Sequence, residues 1–420
     1  MNIFINATSA RLGGGLTVIR NLLPAMAAED RGENRYTVVA RDDVWEHLDP
    51  GHPRVRFVTS EMGGRSAMTR FLWEQVELPL RVGLRGADVL LSPANLAVLA
   101  SPVPQVMIFQ NMAPFDPDVV SRMRPSKRRR LILLRRLGIA SASRVERVVF
   151  ISDYAQRVIG AELAIDPART RCIHLGRDVA FCPAAAAKAG PLLDELGIKG
   201  RYLLSVSQFY GYKNFVELVV GFSRARGSLP DDVTLCIAGA EHEADYAARV
   251  RRIIKREGLE SRVRLLGHVP YDKLPPLYAR ASLFLFPSAC ENFPNILVEG
   301  MASGVPTLAS RLGPMPEIAG DGAVYFDPFE PDEIAEVIVR YWQDESARAA
   351  LRDRGIRRSE RYSWNETARQ LLEVLRDAVA PHGNPLPVPE EKEPGGTPLA
   401  GKRGPDRVRL ATDEQPMRAS

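Results

Sequence analysis

The chain of 420 residues is 45% hydrophobic and 25% charged, the balance of a globular protein with room for two or three cores, and it argues against fibrous, disordered or membrane-spanning classes. Its 56 Lys and Arg stand against 51 Asp and Glu, and the resulting net charge of +5 is too mild to point to nucleic acid. The four cysteines, Cys172, Cys182, Cys236 and Cys290, lie far apart with no CxxC spacing, which argues against a zinc cluster or a disulfide framework and fits a reducing compartment. The start of the chain has no basic leader, and no stretch reaches the ~18 apolar residues of a spanning helix. A cytoplasmic protein, at most peripheral at the inner face of a membrane, is expected.

The first strand signal is NIFINAT, followed by Gly13, Gly14 and Gly15 and then by LTVIRNLLPAMAAE with apolar residues at helical spacing. Strand, glycine turn and helix open a βαβ unit, and a triple glycine lets backbone amides approach a phosphate or an acceptor closely. It is not G-x-G-x-x-G, so a dinucleotide cofactor is the weaker reading. The apolar runs YTVVA, RVRFVT, ADVLLSP, QVMIFQ and RVVFIS then alternate with helical or polar segments, the pattern of a parallel sheet covered on both faces. The rhythm restarts at RYLLSVSQ and continues through VTLCIAG, VRLLGHV, SLFLFPS and VPTLAS. Between the two runs, FCPAAAAKAGPLLDELG reads as a linker or domain edge.

The expected fold is therefore α/β, with two doubly wound Rossmann-like domains facing each other across a cleft. Residues 1–180 form the first, 181–361 the second, and a helix over 362–380 crosses back to the first. From Pro381 the chain is rich in Pro, Gly and charge without apolar periodicity, and 381–420 is expected to be a disordered tail. In such sheets ligands sit outside the carboxyl ends of the strands.

Two stretches fall at that edge. SVSQFYGYKNF places Lys213 in a strand-to-helix loop, with Asn214 as a candidate cap of the next helix. ENFPNILVE places Glu291 in the loop after SLFLFPS and Glu299 two turns down a helix that Pro294 suits at its start. Ionised carboxylates accept paired bonds from vicinal hydroxyls, and the N–H groups around Phe293 to Asn295 suit a sugar or diphosphate. A bare pair of glutamates would read more readily as two solvated charges.

The flanking elements decide between these. PSACENFPNILVEGMASGVPTLASRLGPMPEIAGDGAVYFDP, with E-x7-E formed by Glu291 and Glu299, resembles the signature of retaining glycosyltransferases of the GT-B fold, specifically the large family 4. The resemblance implies that Lys213 binds the donor diphosphate, that Glu291 contacts hydroxyls of the donor sugar and that Glu299 holds the nucleotide ribose. Lys213 and Glu291 would be the catalytic pair. Gly13, Gly14, Gly15, Asn111, His268, Asn292, Phe293, Pro294 and Asn295 would complete the substrate contacts. The donor would be a nucleotide diphosphate sugar, with no further cofactor and no metal. Two departures stand out: Gln208, Tyr210 and Tyr212 offer no second cation near Lys213, and Gln110 and Asn111 stand where many members carry His-Asp. A front-face reaction, with the departing phosphate oxygen taking the acceptor proton, needs neither a general base nor a nucleophile.

FDPDVV supplies a superficial D-x-D in Asp116 and Asp118, read as loop composition rather than as a metal site. Between Arg122 and Arg136 the chain carries eight basic residues and no acidic one, among leucines at helical spacing. A basic amphipathic helix over Lys127 to Arg136 would suit an anionic membrane surface or a lipid-pyrophosphate acceptor, or be a solvated face. The absence of interleaved aromatics argues against nucleic acid. The expected function is transfer of a hexose to a hydroxyl of a glycan or lipid-linked acceptor in envelope or exopolysaccharide synthesis. Alternatives are a sugar-nucleotide epimerase or a non-catalytic binding scaffold on the same fold.

Overall fold

The computed structural model describes residues 1–10, 14–41, 43, 44, 48, 51–60 and 66–380. The first seven strands, β1 (Asn2–Asn6), β2 (Arg35–Ala40), β3 (Val55–Thr59), β4 (Val89–Ser92), β5 (Gln105–Phe109), β6 (Arg147–Phe150) and β7 (Thr170–Cys172), form one parallel sheet in the order β3-β2-β1-β4-β5-β6-β7. A second parallel sheet holds β8 (Tyr202–Val206), β9 (Thr234–Ala238), β10 (Val263–Gly267), β11 (Leu283–Phe286), β12 (Thr307–Ser310) and β13 (Val324–Phe326), in the order β10-β9-β8-β11-β12-β13. Helices cover both faces, so central strands such as VLLS in β4 and LFLF in β11 are buried throughout and read as continuous apolar runs rather than alternating ones.

The strand order reverses between β1 and β4 in one sheet and between β8 and β11 in the other. At such a reversal the loops leaving two adjacent strands diverge to opposite faces and open a crevice. The two expected chemical loops leave β8 and β11, the adjacent pair at the second reversal.

Sequence reading names neither β7 nor β13; at three residues each, both are too short to show a period. The Ala- and Pro-rich segment expected as a linker or domain edge folds into a 3-10 turn, Pro183–Lys188, and a helix, Ala189–Glu195, that buries Ala189 and Leu192. Alanine forms helix readily, and Pro183 and Pro191 lie at or near the starts of these segments, where a missing N–H costs least.

The helix Trp364–Val379 packs on Gly14–Glu29 of the first half, its Leu371, Leu372 and Leu375 joining Ile19, Leu22 and Leu23 in one core. Where the chain crosses between halves, a Cβ on Gly176 would stand 2.1 Å from the Trp364 nitrogen, so only glycine lets the two segments touch. Residues 381–420, expected as a disordered tail, lie outside the described residues.

Candidate functional site

The loop after β8 ends in a 3-10 turn, Gly211–Lys213, and the helix Phe215–Ala225 follows. Lys213 is buried, yet its ammonium has a partner: Nζ lies 2.5 Å from Glu291 Oε1, in the loop leaving β11. The rings of Tyr212 and Phe286 stand 5.2 and 5.9 Å from Nζ and wall it from solvent. Two further bonds hold the loops together: Ala289 N donates to Tyr212 O at 2.8 Å and Asn214 Nδ2 to Pro287 O at 3.0 Å. The expected side-chain cap by Asn214 is corrected here. Asn214 occupies the cap position in the left-handed region, at φ 52°, which asparagine tolerates, but its amide is committed to Pro287. The hydroxyl of Tyr246 instead accepts from Phe215 N at 2.7 Å.

Glu299 is buried on the helix Asn295–Ala302 and accepts from the Tyr271 hydroxyl at 3.1 Å. Burial pushes its carboxyl up to about 8; the Tyr271 bond opposes this and the charge of Asp178 adds to it. Nothing in the sequence marks Tyr271 as its partner, because 28 residues separate them. Pro294 takes the position before that helix rather than within it, and Asn295 N already donates to Phe293 O at 3.0 Å. The amide of Asn295, expected to face a ligand, is thus used locally.

Asn292 reaches the other half: its Nδ2 donates to Phe109 O, at the end of β5, at 3.0 Å. Gln110 and Asn111 follow. Asn95 Oδ1 accepts from the backbone nitrogens of both, and Asn111 Oδ1 accepts from Ala113 N at 3.0 Å, so the Asn111 side-chain oxygen is occupied in a turn. Gln110 Nε2, Asn292 Oδ1 and Asn295 Oδ1 are buried without a partner among the described residues, a donor and two acceptors of the kind that matches sugar hydroxyls. The glycine turn is corrected as well: Gly14 and Gly15 already belong to the helix Gly14–Glu29, and a Cβ on Gly15 would lie 3.7 Å from Gln110 Oε1. Gly13 lies outside the described residues. His268 is exposed at the carboxyl end of β10, two strands from β8.

No local signal in the sequence marks Glu317 of the MPEIAG element. Its carboxylate accepts from Asp153 N at 2.8 Å and Tyr154 N at 2.7 Å, the first turn of the helix Asp153–Gly160 in the first half, and lies 3.0 Å from His174 Nε2. Burial alone would raise this carboxyl, but these bonds and the nearby imidazole hold it below the usual value. Phe293 packs beside it, 6.0 Å from the His174 ring and 5.4 Å from Tyr362.

The D-x-D of the first half serves the backbone: Asp116 Oδ1 accepts from Asp118 N and Val119 N, each at 3.0 Å, and caps the helix Pro117–Arg122. The basic run forms the helix Pro125–Ala142, and part of its charge is spent within the protein. Arg124 pairs with Asp245, Arg135 Nε lies 2.7 Å from Glu162, and Lys127 Nζ lies 2.7 Å from Glu243 Oε1, whose other oxygen accepts from Gly211 N at 3.0 Å. Lys127 is thereby tied to the turn that carries Lys213.

Residues 194–358 match the family model described as glycosyl transferases group 1. The O-antigen chain mannosyltransferase B of Escherichia coli is 34% identical over 241 residues, 57% of this chain and 60% of that protein. The D-inositol 3-phosphate glycosyltransferase of Salinispora tropica is 28% identical over 230 residues, 52% of this chain and 48% of that protein. The chain thus spans about half to three fifths of the length of these relatives. Anabaena Alr3699/HepE, solved with UDP and glucose, superposes with a TM-score of 0.70 at 20% identity over 90% of this chain and 100% of that one. WaaG, a glycosyltransferase involved in lipopolysaccharide biosynthesis, gives 0.69 at 14% identity over 89% of this chain and 99% of its own. These structures share the GT-B fold with the present chain.

Proposed function

Because the chain belongs to the glycosyl transferases group 1 family, we propose that it is a retaining hexosyltransferase that takes its sugar from a nucleotide diphosphate donor bound in the second half. The observation that carries this reading is the buried Lys213–Glu291 pair at the point where the strand order reverses, with Glu299 behind it. A buried ammonium held by one carboxylate can exchange that partner for a diphosphate, and the released Glu291 can then accept from sugar hydroxyls. Glu299, within reach of the Tyr271 hydroxyl, is assigned the ribose.

In the transfer, the bond from the anomeric carbon to the diphosphate oxygen breaks as the acceptor hydroxyl oxygen bonds to the same face of that carbon. The hydroxyl proton passes to the departing phosphate oxygen. Lys213 stabilises the charge growing there in a site closed to water by Tyr212 and Phe286. Gln110 and Asn111 cannot act as general bases, and this route asks for none. No additional cofactor and no metal is assigned.

The acceptor is a glycan or lipid-linked hydroxyl in envelope or exopolysaccharide synthesis, reached from the cytoplasmic side. The names of the relatives support that setting. Among the described residues no helix is long and apolar enough to cross a membrane.

A thermal-shift screen of UDP-, GDP- and TDP-hexoses tests the donor, since a ligand bound only to the folded state raises the melting temperature. A clear shift with one base, abolished in Lys213→Ala, is expected. No shift with any donor, and no sugar release in their presence, would overturn the reading.

A further inference from the structure

The helix Ala67–Leu84 is apolar on two sides. Trp73, Leu78 and Val82 face the protein, where Glu74 is also buried and accepts from Thr8 Oγ1 at 2.5 Å, with Arg70 Nε 3.6 Å from it. Arg81 and Glu77 pair at the flank, partly exposed, with Arg81 over the Trp73 ring. The outward side is apolar as well. Met68, Leu72, Val76, Leu80 and Leu84, each four residues on from the last, are between 55% and 87% exposed. They form one row of roughly 24 Å at 1.5 Å per residue. Single exposed leucines are ordinary, whereas a helix that already buries Trp73, Leu78 and Val82 and still shows a second, continuous apolar row to water departs from the usual one-sided arrangement and marks a surface covered in use.

The neighbouring helix tells what covers it. Phe4 and Leu90 share an apolar cluster with Trp73, Leu78 and Val82 of Ala67–Leu84, and Met107, Phe109, Val148 and Phe150 share one with Ile139 and Ala142 at the C-terminal end of Pro125–Ala142. The strand register puts all six on one face of the first sheet, so the two helices share that face. The loop after β4 bonds to both, with Gln75 Nε2 donating to Ala97 O at 3.1 Å and Ala97 N to Ser141 Oγ at 3.1 Å. On the second helix Arg129, Arg130 and Arg136 are exposed, together with Ile132 and Leu133. The face is therefore an apolar row bordered by positive charge. A second copy docked about a two-fold axis across the helix would bring the arginines toward one another, whereas an anionic lipid surface satisfies both parts.

We propose that Ala67–Leu84 lies in the interface of an anionic bilayer, its apolar row seated among the acyl chains and the arginines of Pro125–Ala142 on the headgroups. The inference shifts the lipid contact from the basic segment expected from sequence to a different helix. It rests on the lipid-facing reading of Pro125–Ala142 only for the sign of the lipid charge, and it is independent of the donor chemistry.

Co-sedimentation of the full chain with phosphatidylcholine vesicles, with and without 30% phosphatidylglycerol (about a third anionic lipid, a strongly negative surface), tests it. Wild type is expected to pellet with the anionic vesicles. Leu72→Glu/Val76→Glu should lower the partition coefficient on the order of 100-fold, since each apolar side chain is worth about a tenfold change or more. Its melting curve should match that of wild type, because both positions are exposed. Arg129→Glu/Arg130→Glu should pellet less, and its residual pelleting should lose the salt dependence of wild type, which the stripe variant, with its arginines in place, keeps. Failure of wild type to pellet, or equal pelleting of wild type and the stripe variant, would overturn the proposal. Release by the arginine variant alone would leave the basic helix as the lipid contact and remove the stripe. A wild-type dimer that the stripe variant converts to monomer would make the row an interface between copies and also overturn it.

Discussion

The ammonium of Lys213 and the carboxylate of Glu291, 78 residues apart in the chain, meet at 2.5 Å in the loops leaving two adjacent strands. Their side chains are only 8% and 15% exposed, so each charge depends on the other for its place in the fold. A buried pair adds little net stability over apolar residues of the same volume, yet breaking it strands a charge.

Lys213→Ala and Glu291→Ala should therefore each destabilise the protein, by on the order of 3 kcal/mol, with the double variant losing less than the sum. Urea denaturation of the four proteins measures this. Donor turnover should behave differently: Lys213→Ala should cost about 10- to 100-fold in kcat/KM, the worth of one charged hydrogen bond, and the double variant should recover none of it. Wild-type kinetics in Lys213→Ala would remove the lysine from the site.

Glu299 predicts a pH dependence of stability. Its carboxyl, raised by burial from 4.5 to about 8, holds its proton in the folded chain after the unfolded chain has released it. Stability should fall as pH rises between those values, at up to about 1.4 kcal/mol per unit, and level off outside them. Glu299→Gln keeps the shape and removes the titration, so its stability relative to wild type should grow from pH 5 to pH 8. Parallel curves for the two proteins would contradict this.

The bonds from Glu317 to Asp153 N, Tyr154 N and His174 join the halves of the molecule with an ionised carboxylate. Its pKa is depressed in the folded state, so its contribution is complete above the ordinary carboxylate value and is lost as pH falls through the depressed one. Glu317→Ala should cost on the order of 3 kcal/mol at pH 7 and progressively less as pH falls below the ordinary carboxylate range, read from thermal melts across pH.

Activity should survive EDTA, because Asp116 is engaged in capping and Asp118 shares that turn. Asp116→Ala should lower stability by about 1 kcal/mol, the worth of a helix cap, with donor turnover retained. An absolute requirement for Mn²⁺ or Mg²⁺ would assign these carboxylates a different role.

Periodicity and spacing carry a large part of this protein. The alternation of apolar runs and helical segments specifies two parallel sheets, because strands buried on both faces must be apolar throughout. The run from Glu291 to Glu299 and the loop at Lys213 mark the chemical edge through local signals, a strand end followed by a helix start. Sequence alone cannot pair Lys213 with Glu291, Glu299 with Tyr271, Asn292 with Phe109 or Glu317 with the Asp153 helix. Those contacts depend on strand order and on how the two halves meet, which no local pattern encodes. The helix Ala67–Leu84 is the sharpest case. Its sequence is apolar on two sides, but only packing decides which one faces the sheet, and here Trp73, Leu78 and Val82 go inside beside Glu74 while Met68, Leu72, Val76, Leu80 and Leu84 are left outside.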